Sequence, residues 1–285
     1  MEYSDVLVRY GEIFLKSEYV RKSFTNRLVL NIKAALAKEH VLADVILLRH
    51  RIILKSDQAE AAAQRVSNVF GVVSASPAVE VGSVISTLKS SVSEYAGMVL
   101  GSGSFAVRAR RTKDYPLDSR ELERMLGAEI KNRYANPVDL SNPGTTIGVE
   151  IHGSRAYIFS KTLKGIGGLP YGTQGFLGAF VEDGRGALAA WMMMRRGCGI
   201  HLIGSGEYVQ ALGRYSNPKP KVCKDAAEAL ASGALGVVSS QTLSDLDFSL
   251  DEMTQMPVYR PLIGLNELRI KELLQSTRLA YIQPE

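Results

Sequence analysis

The sequence predicts a multidomain chain in which two α+β units precede an α/β unit with a parallel sheet. Three observations carry that expectation: a length of 285 residues, a β-α-β-β-α-β order of patterns over the first eighty, and apolar strands alternating with helical stretches over the last hundred or so. Hydrophobic residues at 46% and charged residues at 22% describe a chain able to bury cores rather than a disordered one.

The first unit, expected over 1–80, opens with the short apolar strand Val6-Leu7-Val8. From Glu18 to Glu39 the residues Val20, Phe24, Leu28, Ile32, Ala35 and Leu36 recur at helical spacing. Val45–Leu48 and Arg51–Leu54 read as paired strands around a turn at His50, Ala59–Val69 as a helix, and Gly71-Val72-Val73 as the opening of a strand that runs out at Pro77. This order is the ferredoxin-like arrangement.

The second unit, expected over 81–165, begins with an amphipathic helix from Val84 to Leu100 and a strand from Ser104 to Ala109. Asp118 with Glu121 three residues on marks a capping box and a helix running to Asn132 or Tyr134. Thr146–Ile151 and Arg155–Phe159 then pair across His152-Gly153-Ser154. A glycine-rich connector, 166–175, leads to the third unit, 176–285. There Leu177–Val181, Gly199–Ile203 and Leu235–Val238 read as strands, and Ala187–Arg196, Cys223–Ala231 and Leu268–Ser276 as helices.

Charge is distributed unevenly. Residues 1–175 hold 23 Lys+Arg against 17 Asp+Glu, and the remainder hold 11 against 12, so a polyanion would be held by the N-terminal part. Arg108, Arg110, Arg111 and Lys113 cluster at a strand end before a helix start. Two readings fit them. Guanidinium forks and helix N–H groups suit an RNA backbone, whereas a solvated strand end would pair with Asp114 and Asp118. Tyr115 either stacks on an exposed base or packs a turn beside Pro116. Lys161 and Lys164 flank the connector and would extend a basic track.

No apolar run approaches the roughly 20 residues a membrane helix needs. The acidic start gives no secretory signal, and the two cysteines form no disulfide framework, so a cytoplasmic location is expected. Cys223 lies beside Lys224, which would lower its pKa, while Cys198 is expected in the core; neither is assigned a catalytic role. His40, His50, His152 and His201 lack metal-ligand spacing, so no metal is assigned. Trp191 and Met192-Met193-Met194 read as buried helix surface, with a partner-binding face as the alternative.

Six stretches in order resemble the tRNA 4-thiouridine synthetase (ThiI) family, also known for thiamine biosynthesis. They are Tyr10-Gly11-Glu12-Ile13-Phe14-Leu15-Lys16, Val69-Phe70-Gly71-Val72, Phe105–Arg111 on to Tyr115-Pro116 and Ser119, the connector Gly168–Gly175, Ser240-Gln241-Thr242-Leu243, and Arg260-Pro261-Leu262-Ile263-Gly264. The resemblance implies a ferredoxin-like domain, a tRNA-binding THUMP domain and a Rossmann-like PP-loop ATP pyrophosphatase domain. It also adds Lys16 to the candidate RNA contacts and implies a homodimer.

In that family the third domain carries a loop of the form Ser-Gly-Gly-x-Asp-Ser between its first strand and helix, holding phosphates on backbone N–H groups. The register here places Val181-Glu182-Asp183-Gly184-Arg185-Gly186 in the loop, with none of the signature residues kept. Glu182 and Asp183 stand where glycines would. At ~4 Å and an effective dielectric near 20, a carboxylate facing a phosphate charge costs about 4 kcal/mol. Arg185 is expected to bond Glu182 or an incoming carboxylate. A second nucleotide loop, Thr-Gly-Glu-Ser-x-Gly-Gln, is missing before Ser240, and Glu285 falls at or before the region of the family's sulfur-accepting cysteine.

The expectation is therefore a tRNA binder without the adenylation chemistry, with no cofactor and possible help from a separate catalytic or sulfur-carrier protein. The alternative is an active sulfurtransferase, using ATP and Mg²⁺ at an atypical site and a partner sulfur donor, that forms 4-thiouridine at position 8 of tRNA.

Overall fold

The computed structural model describes residues 1–285 apart from 12, 14–16, 49, 218, 278 and 280–285. The chain gathers into two compact units that interleave in sequence. One comprises Met1–Arg9, His40–Arg65 and Ser74–Lys164; the other comprises Tyr10–Glu39, Val66–Val73 and Gly165–Glu285.

The first unit is built on β1 (Asp5–Tyr10), β2 (Asp44–Leu48), β3 (Arg51–Lys55), β4 (Val72–Gly82), β5 (Phe105–Arg111), β6 (Thr145–His152), β7 (Arg155–Phe159) and β8 (Leu163–Lys164). These strands join in one sheet of order β2-β3-β1-β4-β7-β6-β5, with β8 also on β4. β4 does not run out at Pro77 as the sequence suggested. Its Ser74 and Ala75 pair with β8, and Val79 to Gly82 pair with β7. Pro77 falls between these two runs, where neither register asks it for an amide.

Helices α3 (Ile85–Val99) and α4 (Ser119–Arg133) cover one face of β5, β6 and β7. The period-2 pattern sends Phe105, Val107, Ala109, Ile147, Val149 and Ile151 into a core with Leu88, Val92, Leu122 and Leu126. Asp118 caps α4 with the expected box, its side chain accepting from Glu121 N and the Glu121 side chain accepting from Asp118 N. The remaining helix of this unit is α2 (Ala59–Val66), shorter than its pattern suggested.

The second unit contains α1 (Glu18–Lys38) and a five-stranded parallel sheet. Its strands are β9 (Phe176–Phe180), β10 (Gly199–Ile203), β11 (Val222–Cys223), β12 (Ala234–Val238) and β13 (Val258–Tyr259), in the order β11-β10-β9-β12-β13. α5 (Gly184–Arg195), α6 (Glu207–Gly213), α7 (Ala226–Ala231), α8 (Ser249–Thr254) and α9 (Glu267–Ser276) complete it. Ala187, Leu188, Trp191 and Met194 of α5 join Ile200, Leu202, Val238 and Ile270 in the core, as the apolar helix pattern implied. Residues 222 and 223 form a strand, so Cys223 does not start the expected helix; Asp225 accepts from Glu228 N and α7 begins after it. Asn31 of α1 donates through Nδ2 to Tyr171 O, and Lys38 Nζ reaches Gly213 O and Ser216 O.

Candidate nucleic-acid interface

The strand register of the first unit collects its basic residues in a cleft. β5 and β6 run parallel with Arg108 opposite Gly148, Arg110 opposite Glu150, and Arg111 opposite Ile151. Residues 148, 150 and 152 therefore lie on the sheet face turned away from α3 and α4. On that face Glu150 is buried, its side chain only 4% exposed, and it gathers three partners from three strands. Arg9 Nε donates to Oε1 at 2.8 Å, Arg51 Nε donates to Oε2 at 2.9 Å, and His152 Nε2 stands 3.6 Å from Oε2. Burial alone would raise the Glu150 pKa, but the nearby His152 and the Arg9 and Arg51 charges outweigh it and hold it at about 2. Arg9 is itself fixed by Ser76 Oγ at 2.9 Å and by the Phe159 ring at 4.7 Å.

Around this anchor opens a cleft of about 920 Å³, lined by His50, Arg51, Arg110, Arg111, Lys113, Asp114, Ser119, Glu150 and His152 with their neighbours. Arg51 and the Arg9 beneath take up Glu150, so Arg110, Arg111 and Lys113 share the lining with one further carboxylate, Asp114. Arg108, Arg110, Arg111 and Lys113 make no ion pair within 4.0 Å among the described residues, so the pairing with Asp114 and Asp118 that the sequence allowed is not formed. Arg111 Nη1 instead donates to Thr112 O and Lys113 O, which stiffens the strand end. The helix start offers less than expected, since the capping box already takes Glu121 N and Asp118 N.

The other candidates lie outside this lining. Arg108 is exposed and donates to Leu140 O. Tyr115 donates its hydroxyl to Ser83 O at 2.6 Å and packs against the helical core, the turn-packing arrangement. Lys161 reaches Glu60 at 3.4 Å, and Lys164 is exposed on β8. Lys16 lies outside the described residues. Sequence reasoning missed Arg9, Arg51 and Glu150, and it assigned His50 and His152 to turns. The available signal was the polar face of β6, where Glu150 alternates with the apolar residues 147, 149 and 151.

In the second unit, residues 181–183 join β9 to α5, whose first turn takes in 184–186, at the carboxyl end of the parallel sheet, the edge where such sheets bind ligands. Asp183 is the N-cap of α5, its Oδ1 accepting from Gly186 N at 2.8 Å. Gly186 sits against the strand so closely that a Cβ there would lie 2.5 Å from Phe180 O. Arg185 does not bond Glu182. Its Nη2 donates to Asp245 Oδ2 at 3.0 Å and to Ser240 O at 3.3 Å, and Nη1 lies 3.7 Å from Glu267 Oε1. Asp245 is drawn below the usual carboxylate range by its Thr242 hydrogen bonds and then by Arg185.

Cys198 is buried and its pKa is raised by that burial. Cys223 is buried too, and its neighbour Lys224 lies 4.0 Å from Asp225. His201 stacks on Phe176 and bonds Ser232 O through Nε2. Among the described residues no group of three or more His, Cys, Asp or Glu is placed to hold a metal ion, and no helix is long and apolar enough to cross a membrane.

Three family models match along the chain: the ThiI ferredoxin-like domain at 5–76, the THUMP domain at 86–161, and the thiamine biosynthesis protein ThiI at 219–278. A probable tRNA sulfurtransferase of Methanobrevibacter smithii is 30% identical over 336 residues, covering 97% of this chain and 87% of the relative. That alignment is longer than this 285-residue chain, so the relative has more than fifty positions without a counterpart here. Among solved structures, PH1313 from Pyrococcus horikoshii superposes with a TM-score of 0.84 at 34% identity, over 97% of this chain and 99% of that one. A 4-thiouridine synthetase in complex with RNA and ATP shares the fold at a TM-score of 0.78 and 23% identity, over 99% of this chain and 87% of that one. With its ferredoxin-like and THUMP matches in order and nearly its whole length aligned to such a relative, the chain belongs to the ThiI family of tRNA sulfurtransferases.

Proposed function

We propose that this protein binds tRNA through the cleft of its first unit and does not itself perform the ATP-dependent adenylation and sulfur transfer. The observation that carries the reading is Asp183. Its carboxylate is hydrogen-bonded to the N–H of Gly186 at the start of α5, the kind of donor that would otherwise be offered to a phosphate. Glu182 beside it adds a second negative charge, and Arg185 is turned to Asp245 and Glu267. On this reading the loop is closed by the chain's own side chains.

The cleft supports the RNA half of the proposal. Arg110, Arg111 and Lys113 stand around a preformed anchor without ion pairs among the described residues, which suits phosphate oxygens without reading sequence. The domain bounds read from sequence, 1–80, 81–165 and 176–285, contain the three family matches and are kept as the working division. The third domain then serves as a homodimerisation or docking platform in the cytoplasm, presenting tRNA to a separate catalytic or sulfur-carrier protein.

A second reading, an active sulfurtransferase with an atypical nucleotide site and a partner sulfur donor, is favoured by the activity named for the relatives. Gel shifts with tRNA at two salt concentrations, with calorimetric titration of ATP and Mg²⁺ in parallel, separate the two. Salt-sensitive tRNA binding without nucleotide binding supports the proposal. Saturable ATP binding overturns its noncatalytic half, and absence of tRNA binding overturns it altogether.

A further inference from the structure

The basic cleft is lined by two imidazoles, His50 and His152, as well as by permanent cations. Imidazole is the side chain whose charge changes near neutral pH. His152 is the one tied to the anchor. It closes β6 opposite Arg155 of β7, its side chain is 18% exposed, and its Nε2 stands 3.6 Å from Glu150 Oε2. Its Nδ1 has no hydrogen-bond partner among the described residues, and it is not sealed from solvent. A neutral imidazole carries only one N–H. With that proton on Nε2, beside Glu150, Nδ1 presents a lone pair that repels a phosphate oxygen. With the proton on Nδ1, a lone pair meets the Glu150 carboxylate instead. The imidazolium alone offers a donor to both.

The surrounding charges decide when the ring holds that second proton. From β1 and β3, Arg9 and Arg51 meet Glu150, and the three together leave one positive charge in surplus. β5 adds Arg110 and Arg111, and the turn after it adds Lys113 against Asp114. On β7, Arg155 lies 3.6 Å from Glu80, and the Tyr157 ring lies 6.2 Å from the imidazole. Burial pushes the Tyr157 hydroxyl up to about 12, so it stays neutral. The turn between β2 and β3 brings His50 into the same lining. In the free protein this surplus of cations opposes a charge on His152. A phosphate entering the cleft offsets the surplus and gives the ring a second anionic partner, which favours the charged form.

We propose that His152 is a phosphate contact of the cleft and takes up a proton from solvent as RNA binds, Nδ1 donating to a phosphate oxygen while Nε2 keeps Glu150. This rests on the reading that the cleft binds RNA. Because the bound state holds the extra proton, binding tightens as pH falls.

The test is calorimetric titration of the full-length protein with tRNA near neutral pH, in buffers of different ionisation enthalpy, whose spread gives the protons taken up. The wild-type protein is expected to take up a sizeable fraction of one proton, and to bind about tenfold tighter at about pH 6 than at about pH 8. His152→Gln keeps an N–H for Glu150 but cannot charge, so it should still bind, with uptake near zero and a pH effect of about twofold. His50→Gln should keep the wild-type uptake, which separates the two imidazoles. Wild-type binding without proton uptake overturns the inference while the RNA reading stands, and that result needs no variant to fold. Uptake that survives in His152→Gln, or is lost in His50→Gln, overturns it as well. Absence of tRNA binding in every buffer overturns both.

Discussion

Glu150 in the cleft and Asp183 at the start of α5 are both carboxylates placed where an anion would otherwise be drawn, yet their surroundings give them different consequences. Glu150 is buried beneath the cleft and takes up Arg9 and Arg51, which fixes strands β1, β3 and β6 to one another. On the proposed reading it neutralises the inner guanidiniums and leaves Arg110, Arg111 and Lys113 to the RNA. Asp183 has no guanidinium to organise. It bonds the helix N–H itself, and on the proposed reading it closes an anion site instead of preparing one. What decides the outcome is which donors lie nearest the carboxylate, charged side chains in one case and backbone amides in the other.

Removing the anchor should have the largest effect. Glu150→Gln leaves two partly buried guanidiniums uncompensated, and since breaking a fully buried pair costs about 3–5 kcal/mol, a loss toward the lower end of that range is expected. Urea denaturation at neutral pH measures it. The folded pKa of about 2 lies below the ordinary carboxylate value of 4.5, so the stabilisation is present above that ordinary value and fades as pH falls toward 2. The wild-type protein should lose stability across that interval, and Glu150→Gln should lack this part of the loss. Parallel curves would show that Glu150 is not the anchor described.

Next in size is the effect on RNA. Arg110→Ala/Arg111→Ala should weaken tRNA binding by roughly tenfold to a hundredfold at low salt, and flatten the log–log salt slope by about 2. Arg108→Ala should do much less, since Arg108 lies outside the cleft and is turned to Leu140. Fluorescence anisotropy with labelled tRNA at several salt concentrations measures both. Equal losses in the two proteins would move the interface away from the cleft and onto the exposed face of β5.

The contrast between the two regions also marks how far the sequence could be read. Local periodicity was sufficient for most strands and helices, because each buries one face and repeats its apolar residues accordingly, as β6 and α5 do. It misplaced the end of β4, since a proline normally stops a strand and only the change of partner at Pro77 explains why it does not. It started a helix at Cys223, whereas the Asp225 cap starts α7 at Ala226. At the candidate interface Arg110, Arg111 and Lys113 were legible as a run of charge. Glu150, Arg9 and Arg51 were not, because they come from residues 42 to 141 positions apart and nothing local tells a buried carboxylate from one facing water.

The smallest expected effect tests the closed loop. Asp183→Ala removes an N-cap and should cost about 1 kcal/mol, whereas Asp183→Gly should cost less because glycine tolerates the cap position. Stability alone would confirm only that Asp183 caps a helix. The sharper experiment combines Glu182→Gly with Asp183→Gly, which takes both carboxylates from the loop and leaves Gly186 N without its acceptor. If side-chain carboxylates are what exclude anions there, millimolar phosphate should raise the melting temperature of this double variant and leave the wild-type protein unchanged. Equal stabilisation of both proteins would mean that the loop already admits an anion past Asp183. That result would remove the main physical reason for treating the third domain as noncatalytic, even with Arg185 held by Asp245 and Glu267.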